Sequence, residues 1–443
     1  MDRWMELDLG AGGTPTIPEE LIDKILDLLW DDQEALKQSC LASRSFVRTC
    51  QKLIFECIWL EDIPSGGYLN GHLLTMAQRL GLLLRSTPHL ALLINGLHIV
   101  SDCGNWLTRD KSLPFVLPLL VNLRRFYISN GKKNPDYIII PYLPKAVQEA
   151  LFATWRSPKL THIGMGYIAF ASFEDVLSVI SQSSHSVRNI AICMVDGEDM
   201  EFDGQFNANH DSGINGQPVI PGPSSTRGID SLTFTPCEDE HSAQFYTWLL
   251  NPKTNFSWSS LRKLHFHIGG QYTFEEDLSL FRHILTASPS IEELHISMYN
   301  SFGNAWTNSG PHEPVDISSI RVLHLVVDLI KSDLPILEWW CDNLTSALAL
   351  ESFEIYKDAS VYSLPETPLD LVLVWKCLDE ILSSADRDIK LKIRLILPYN
   401  GSFCLFTDDL RHCFPRMRDK GRLEVDCVDR VERHRRIAGL YWL

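Results

Sequence analysis

The sequence predicts an α/β protein: a three-helix module at the amino-terminal end, followed by a stacked array of strand–helix units with parallel strands inside and helices outside. Two observations carry this prediction. Apolar residues at helical spacing crowd residues 17–60, and a six-residue apolar pattern then recurs about every thirty residues up to the carboxyl end. The composition agrees: 443 residues, 45% apolar and 22% charged, describe a globular chain too long for one ordinary compact core.

Residues 1–16, "MDRWMELDLGAGGTPT", contain Asp2, Glu6 and Asp8 and no continuous apolar run, so they read as a flexible polar leader and not as a secretory signal. Pro18 suits the first helical position, where its missing N–H costs nothing, and it keeps Ile17 extended. Glu19 and Glu20 then fall in the first turn, where the helix dipole favours negative charge. The apolar residues that follow, Leu21, Ile22, Ile25, Leu26, Leu28, Leu29 and Trp30, cover more than one face. Asp31 and Asp32 break the run and can cap a second helix carrying Leu36, Cys40 and Leu41. A third segment spaces Phe46, Cys50, Leu53 and Ile54 helically. Of the 44 residues from Ile17 to Leu60, 23 are apolar. So small a module cannot bury them all internally, and the surplus must dock on the rest of the chain or on another protein. Leu26, Leu36 and Leu53 are the expected module core.

These residues also carry a resemblance. Ile17-Pro18-x-Glu20-Leu21-Ile22-x-x-Ile25-Leu26, then Cys40-Leu41-Ala42-Ser43-Arg44-Ser45-Phe46, then Leu53-Ile54-Phe55, resembles an F-box. It departs from that pattern at Ile17, where leucine is commonest, and at Phe46, where tryptophan is commonest; both replacements are apolar. The resemblance covers residues 17–60, about a tenth of the chain. It implies a Skp-type adaptor as partner and, through the adaptor, a cullin-based ubiquitin ligase. Carried over by position, Ile17, Pro18, Leu21, Ile22 and Ile25 form the first part of the adaptor interface, and Leu41, Ser43, Arg44 and Phe46 the second. The competing reading makes these helices a cap over the following domain.

Residues 61–443 carry the repeat. Leu261-x-x-Leu264-x-Phe266, Ile291-x-x-Leu294-x-Ile296 and Ile320-x-x-Leu323-x-Leu325 are the clearest copies. The middle apolar residues of all copies (97, 126, 163, 190, 232, 264, 294, 323, 353, 393 and 423) are spaced by 27 to 42 residues, mostly near 30. That period, with one short alternating strand per unit, is the signature of a leucine-rich-repeat-like solenoid. It is a divergent one, because no regular asparagine follows the strands. One strand and one helix cannot hide both apolar faces, but stacked units bury them against each other. Ser172-x-x-Asp175 and Thr273-x-x-Glu276 have capping-box spacing before helix-compatible segments. A mixed α/β domain with chance spacing is the alternative. Long gaps locate loops at residues 202–228 and 299–314, the second carrying Trp306 as a possible anchor for a partner.

Chemistry is sparse. There is no phosphate-binding glycine loop, no G-x-S-x-G elbow and no H-E-x-x-H helix. His265-x-His267 places two imidazoles on one face of a predicted strand, but two histidines without a third ligand make no zinc site, and the pair is expected to face the inner surface or solvent. Cys237 and His241 can approach each other on a helix, but they too lack further ligands. The acidic groups at 196–203 and 238–240 read as solvated loops, and Asp211-Ser212-Gly213 resembles the opening of a phosphodegron without its second serine. No catalytic residue, metal or cofactor is expected. Eleven cysteines without a C-x-x-C pair suit a reducing compartment, cytoplasmic or nuclear. A net charge of −16 opposes nucleic-acid binding, and the basic stretch Arg411–Arg436 reads as a solvated face. No apolar run is long enough to span a membrane.

The sequence therefore points to the substrate-recognition subunit of a Skp–cullin–F-box ubiquitin ligase, with no enzymatic step of its own. The module holds the adaptor and the array holds a client protein. This order of parts is similar to that of many fungal F-box proteins. The rivals are a repeat scaffold with no ubiquitin-ligase link and an enzyme with an unfamiliar site on the array.

Overall fold

The structure is a computed structural model. It describes residues 18–30, 32–61, 68–69, 72–101, 105–130, 137–196, 227–235, 256–268, 274–298, 312–327, 334–358, 369–384, 388–397 and 411–429. The leader, Ile17, Trp306, Cys237 with His241, Asp211-Ser212-Gly213, residues 238–240 and nearly all of both long loops lie outside the described residues.

Three helices come first: α1 (Glu19–Asp27), α2 (Gln33–Ala42) and α3 (Arg44–Glu56). Pro18 stands just before α1 with ψ 140°, one residue earlier than the first helical turn. Its carbonyl still accepts from the amides of Leu21 and Ile22, so it starts the helix without being part of it. Asp32 caps α2 by accepting from the Ala35 amide at 2.9 Å.

The remainder is built on one open, all-parallel sheet of 13 strands in which strand order follows chain order. The path runs from Cys57–Leu60 through Gly96–Ser101, Arg125–Asn130, His162–Ala169, Asn189–Asp196 and Ser231–Thr235. It continues through Lys263–Ile268, Glu293–Met298, Val322–Val327, Ser352–Asp358 and Lys390–Leu397 to Leu423–Asp429. The short strand Ile138–Ile139 pairs beside the end of His162–Ala169. Helices such as Met76–Ser86, Lys145–Trp155, Phe274–Ala287, Leu334–Ser346 and Leu369–Ser384 join the strands. Their apolar residues share one continuous core with alternate residues of the strands, so the helices cover one face of the sheet. Among the described residues no helix is long and apolar enough to cross a membrane.

The register of the sheet follows the repeated pattern. Leu97 pairs with Phe126, Leu264 with Leu294, Leu294 with Leu323 and Leu323 with Phe353. Two positions differ from the sequence reading. Leu391, not Ile393, is opposite both Phe353 and Leu423. Leu391, Ile393 and Leu395 alternate with charged residues, so every choice among them puts the same face inward, and only the pairing register selects one. The sheet also starts one strand earlier. Cys57–Leu60, read as the end of the helical module, pairs with Gly96–Ile99 as the first strand, with Ile58 opposite Leu97.

Local chemistry explains several junctions. Gly96 suits the close approach of these first two strands, since a Cβ there would lie 2.9 Å from Cys57 Sγ and push that side chain aside. Thr75 and Gln78 form a reciprocal capping box on Met76–Ser86. The box expected at Ser172 does not form: the Asp175 amide bonds the Ser172 carbonyl instead of its hydroxyl. After the helix Pro415–Asp419, Gly421 takes φ +66°, and the amides of Gly421 and Arg422 return to the carbonyls of Arg418 and Met417. This left-handed turn aims the chain into the final strand. In the basic stretch, Arg416, Arg418 and Lys420 are exposed.

Candidate functional site

The helical module has its own small core. Leu26, Leu36 and Cys50 are buried, and Ile22, Leu29, Cys40, Phe46, Leu53 and Ile54 pack around them. A hydrogen bond from the Thr49 hydroxyl to the Asp23 carboxylate ties α1 to α3. Of the expected core residues, Leu26 and Leu36 are fully buried and Leu53 is half-buried against the same cluster.

This core uses only one stripe of the first helical segment. Ile22, Leu26 and Leu29, spaced i, i+4 and i+7, turn inward. Leu21, Ile25 and Leu28 have the same spacing one residue earlier, so they form a second stripe about 100° away. That stripe faces out: Leu21 is 50%, Ile25 56% and Leu28 79% exposed. Trp30, in the turn that follows, and Leu41, at the end of α2, are also exposed.

The module joins the sheet through the end of α3, not through this stripe. Phe55 and Ile58 pack against the large core, and the Asn95 amide bonds the Glu56 carbonyl at 3.0 Å. Arg125 lies 3.3 Å from Glu56 across the junction. The cap reading therefore accounts for the end of α3 and leaves Leu21, Ile25, Leu28 and Leu41 uncovered.

The nine residues assigned to the site by sequence separate into groups. Leu21, Ile25 and Leu41 are exposed apolar groups, and Pro18 and Arg44 are exposed beside them in sequence. Ile22 and Phe46 belong to the packed module core, where they hold the outer stripe in place. Ser43 caps α3, its hydroxyl accepting from the Ser45 amide at 3.3 Å. Ile17 lies outside the described residues. Leu28 and Trp30 join the exposed set although sequence reasoning did not assign them to it. Their signal was the unbroken Leu28-Leu29-Trp30 run at a helix end, where only one member can point inward.

A second group of residues occupies the sheet face away from the helices. His265 is buried on this face and stacks on His295 with centroids 5.6 Å apart. His295 stacks in turn on His324 at 3.9 Å with an angle of 7°. All three stand at the same register position in neighbouring strands. Of the expected pair, His265 belongs to a ladder that runs across strands, and His267 stands opposite Ser297. The sequence signal is Leu-His at the middle of three successive copies, Leu264-His265, Leu294-His295 and Leu323-His324. The ladder continues at Glu354, which lies 2.8 Å from His324 Nδ1, accepts a hydrogen bond from Tyr356 and is bonded by Arg394.

Burial sets the charge state of this face. It pushes His265 well below the ordinary histidine range, aided by the neighbouring His295. It lowers His295 to about 4 against the opposing pull of Glu293. The hydrogen bond from His295, with Lys263, holds Glu293 at about 2 despite its burial. Burial raises Glu354, but His324 and Arg394 outweigh it and bring the carboxyl to about 2. At neutral pH His265 and His295 are therefore neutral, and Glu293 and Glu354 are ionised.

No family model matches this chain, and no curated protein matches it.

Proposed function

We propose that the chain is the substrate-recognition subunit of a Skp–cullin–F-box ubiquitin ligase. In this reading residues 17–56 act as the F-box, and the sheet with its helices is a divergent leucine-rich-repeat-like array that holds a client protein. The observation that supports it is the Leu21–Ile25–Leu28 stripe, left exposed by a module that already has a core and an anchor. Large apolar side chains in register on one helix face are the means by which one protein docks on another. The chain performs no chemistry in this scheme. It raises the effective concentration of client lysines near a ubiquitin-loaded enzyme held elsewhere in the assembly.

Affinity capture with the proteasome blocked tests this reading. The intact chain should retain a Skp-type adaptor, a cullin and a client. A Leu21→Asp, Ile25→Lys variant should lose the first two and keep the client. Retention of neither adaptor nor cullin by the intact chain favours a repeat scaffold with no ubiquitin-ligase link.

A further inference from the structure

We propose that Glu293, His295 and His324 form a binding site for a divalent transition-metal ion of the zinc class. The site lies on the face of the sheet that the described helices leave free, away from the helical module, and is independent of the ligase reading.

The topology brings the three groups together. Glu293 and His295 are two residues apart on one strand and so share a face. His324 is directly opposite His295 on the next strand. One ligand atom from each of the three lies within 4.8 Å of the other two. Their side chains are shielded but not sealed, with exposures of 22% for Glu293, 9% for His295 and 13% for His324. A hydrated ion can therefore reach the site and shed water into it.

The donor set selects the metal. Two imidazole nitrogens and one carboxylate oxygen suit zinc and its first-row neighbours, whereas magnesium and calcium prefer oxygen alone. Three protein ligands leave a fourth position open to water or to a donor from a partner. Outer contacts are already in place. Glu354 Oε2 lies 2.8 Å from His324 Nδ1, close but without hydrogen-bond alignment, and this leaves Nε2 of that ring for the ion. Lys263 Nζ holds Glu293 Oε2 at 2.7 Å, leaving Oε1 as the donor. His295 Nε2 lies 2.8 Å from that same Oε1. An ion takes the place of the proton between them, and the imidazole proton moves to Nδ1.

Binding requires a defined movement. Ligands about 2.1 Å from a tetrahedral zinc ion lie about 3.4 Å from one another. The rings of His295 and His324 are within 7° of parallel, so their in-plane lone pairs do not converge. One ring must turn about its Cβ–Cγ bond and draw inward by about an ångström. Four carboxylates, Glu293, Glu354, Glu424 and Asp426, face three cations, Lys263, Lys392 and Arg394, so the surrounding charge favours a cation by one unit.

The test is calorimetric titration of the metal-free full chain with zinc, alongside cobalt titration followed by visible absorption. One saturable site per chain is expected, with the cobalt spectrum of a low-symmetry nitrogen–oxygen site. His324→Gln and Glu293→Gln should each weaken binding by at least the about 10- to 100-fold that loss of an outer contact costs. His265→Gln, which removes a stacked neighbour and no ligand, should keep it. Should His324→Gln fail to fold by circular dichroism, Glu293→Gln decides. No saturable binding at millimolar zinc, or equal affinity in the wild type and Glu293→Gln, overturns the proposal.

Discussion

Ile25 and Leu26 are neighbours on α1 with opposite surroundings: Leu26 is 3% exposed, at the centre of the module core, and Ile25 is 56% exposed. The difference is about 100° of helix rotation. It separates what the module needs in order to fold from what it has to spare. Leu26→Ala should cost about 2–5 kcal/mol, the range for a truncated core leucine. Hydrogen exchange across α1–α3 should accelerate in that variant. Ile25→Lys should change stability by no more than about 0.5 kcal/mol, because it alters only surface and puts a cation near a helix C-terminus. A large loss in Ile25→Lys would mean that this side chain is structural.

Glu354 and Arg394 form a buried ion pair on the sheet face opposite the described helices, with side-chain exposures of 8% and 10%. Removing Arg394 leaves the buried Glu354 carboxylate without the cationic side chain that pairs with it, with His324 and the Tyr356 hydroxyl still beside it. Arg394→Met should therefore destabilise by about 3–5 kcal/mol, measured as a shift in denaturant midpoint. Replacing both with apolar residues of similar size should recover most of that loss. Equal losses in the single and double variants would assign the effect to packing and not to charge.

The buried histidines make stability fall with acid. Burial lowers His98 to about 3, and burial with Arg125 nearby lowers His162 to about 4. His98 faces Trp59, Tyr127 and the Ser129 hydroxyl. Each ring is neutral when folded and takes up a proton near pH 6.5 when unfolded. The unfolded state thus binds more protons below pH 6.5, and stability drops by about 1.4 kcal/mol per pH unit for each such ring until the folded pKa is reached. Above pH 6.5 these groups contribute no slope. Urea midpoints at pH 7.5, 6.0 and 5.0 measure it, and His98→Gln should flatten the lower part by one proton's worth. An unchanged slope would show that His98 is protonated in the folded state.

Much of the architecture is legible in the sequence because the strands repeat one pattern. Leu264, Leu294, Leu323 and Phe353 stand in register in the sheet as their spacing implies. The first strand was hidden because Cys57-Ile58-Trp59-Leu60 is an unbroken apolar run directly after a helix, without the alternation that marks a half-buried strand. The tenth core position was ambiguous because Leu391, Ile393 and Leu395 share a face, and register is a property of the paired strand. In the module, the sequence showed a surplus of apolar residues but not which stripe would be spared. That choice depends on where α3 packs, and α3 meets Ile22, Leu26 and Leu29 through Cys50, Leu53 and Ile54. The histidine ladder depends on register across strands, so the sequence reading stops at His265-x-His267 on one strand.

The most direct test of the ligase reading is the dissociation constant between the purified full chain and a purified Skp-type adaptor. It should be measured for the wild type and for Leu21→Asp, Ile25→Lys, with folding of both confirmed by circular dichroism. Saturable binding by the wild type at micromolar concentrations or below, weakened at least about 100-fold, or about 2.7 kcal/mol, in the variant, is the predicted result. A wild type that does not bind the adaptor, or a folded variant that binds it equally well, would contradict the account.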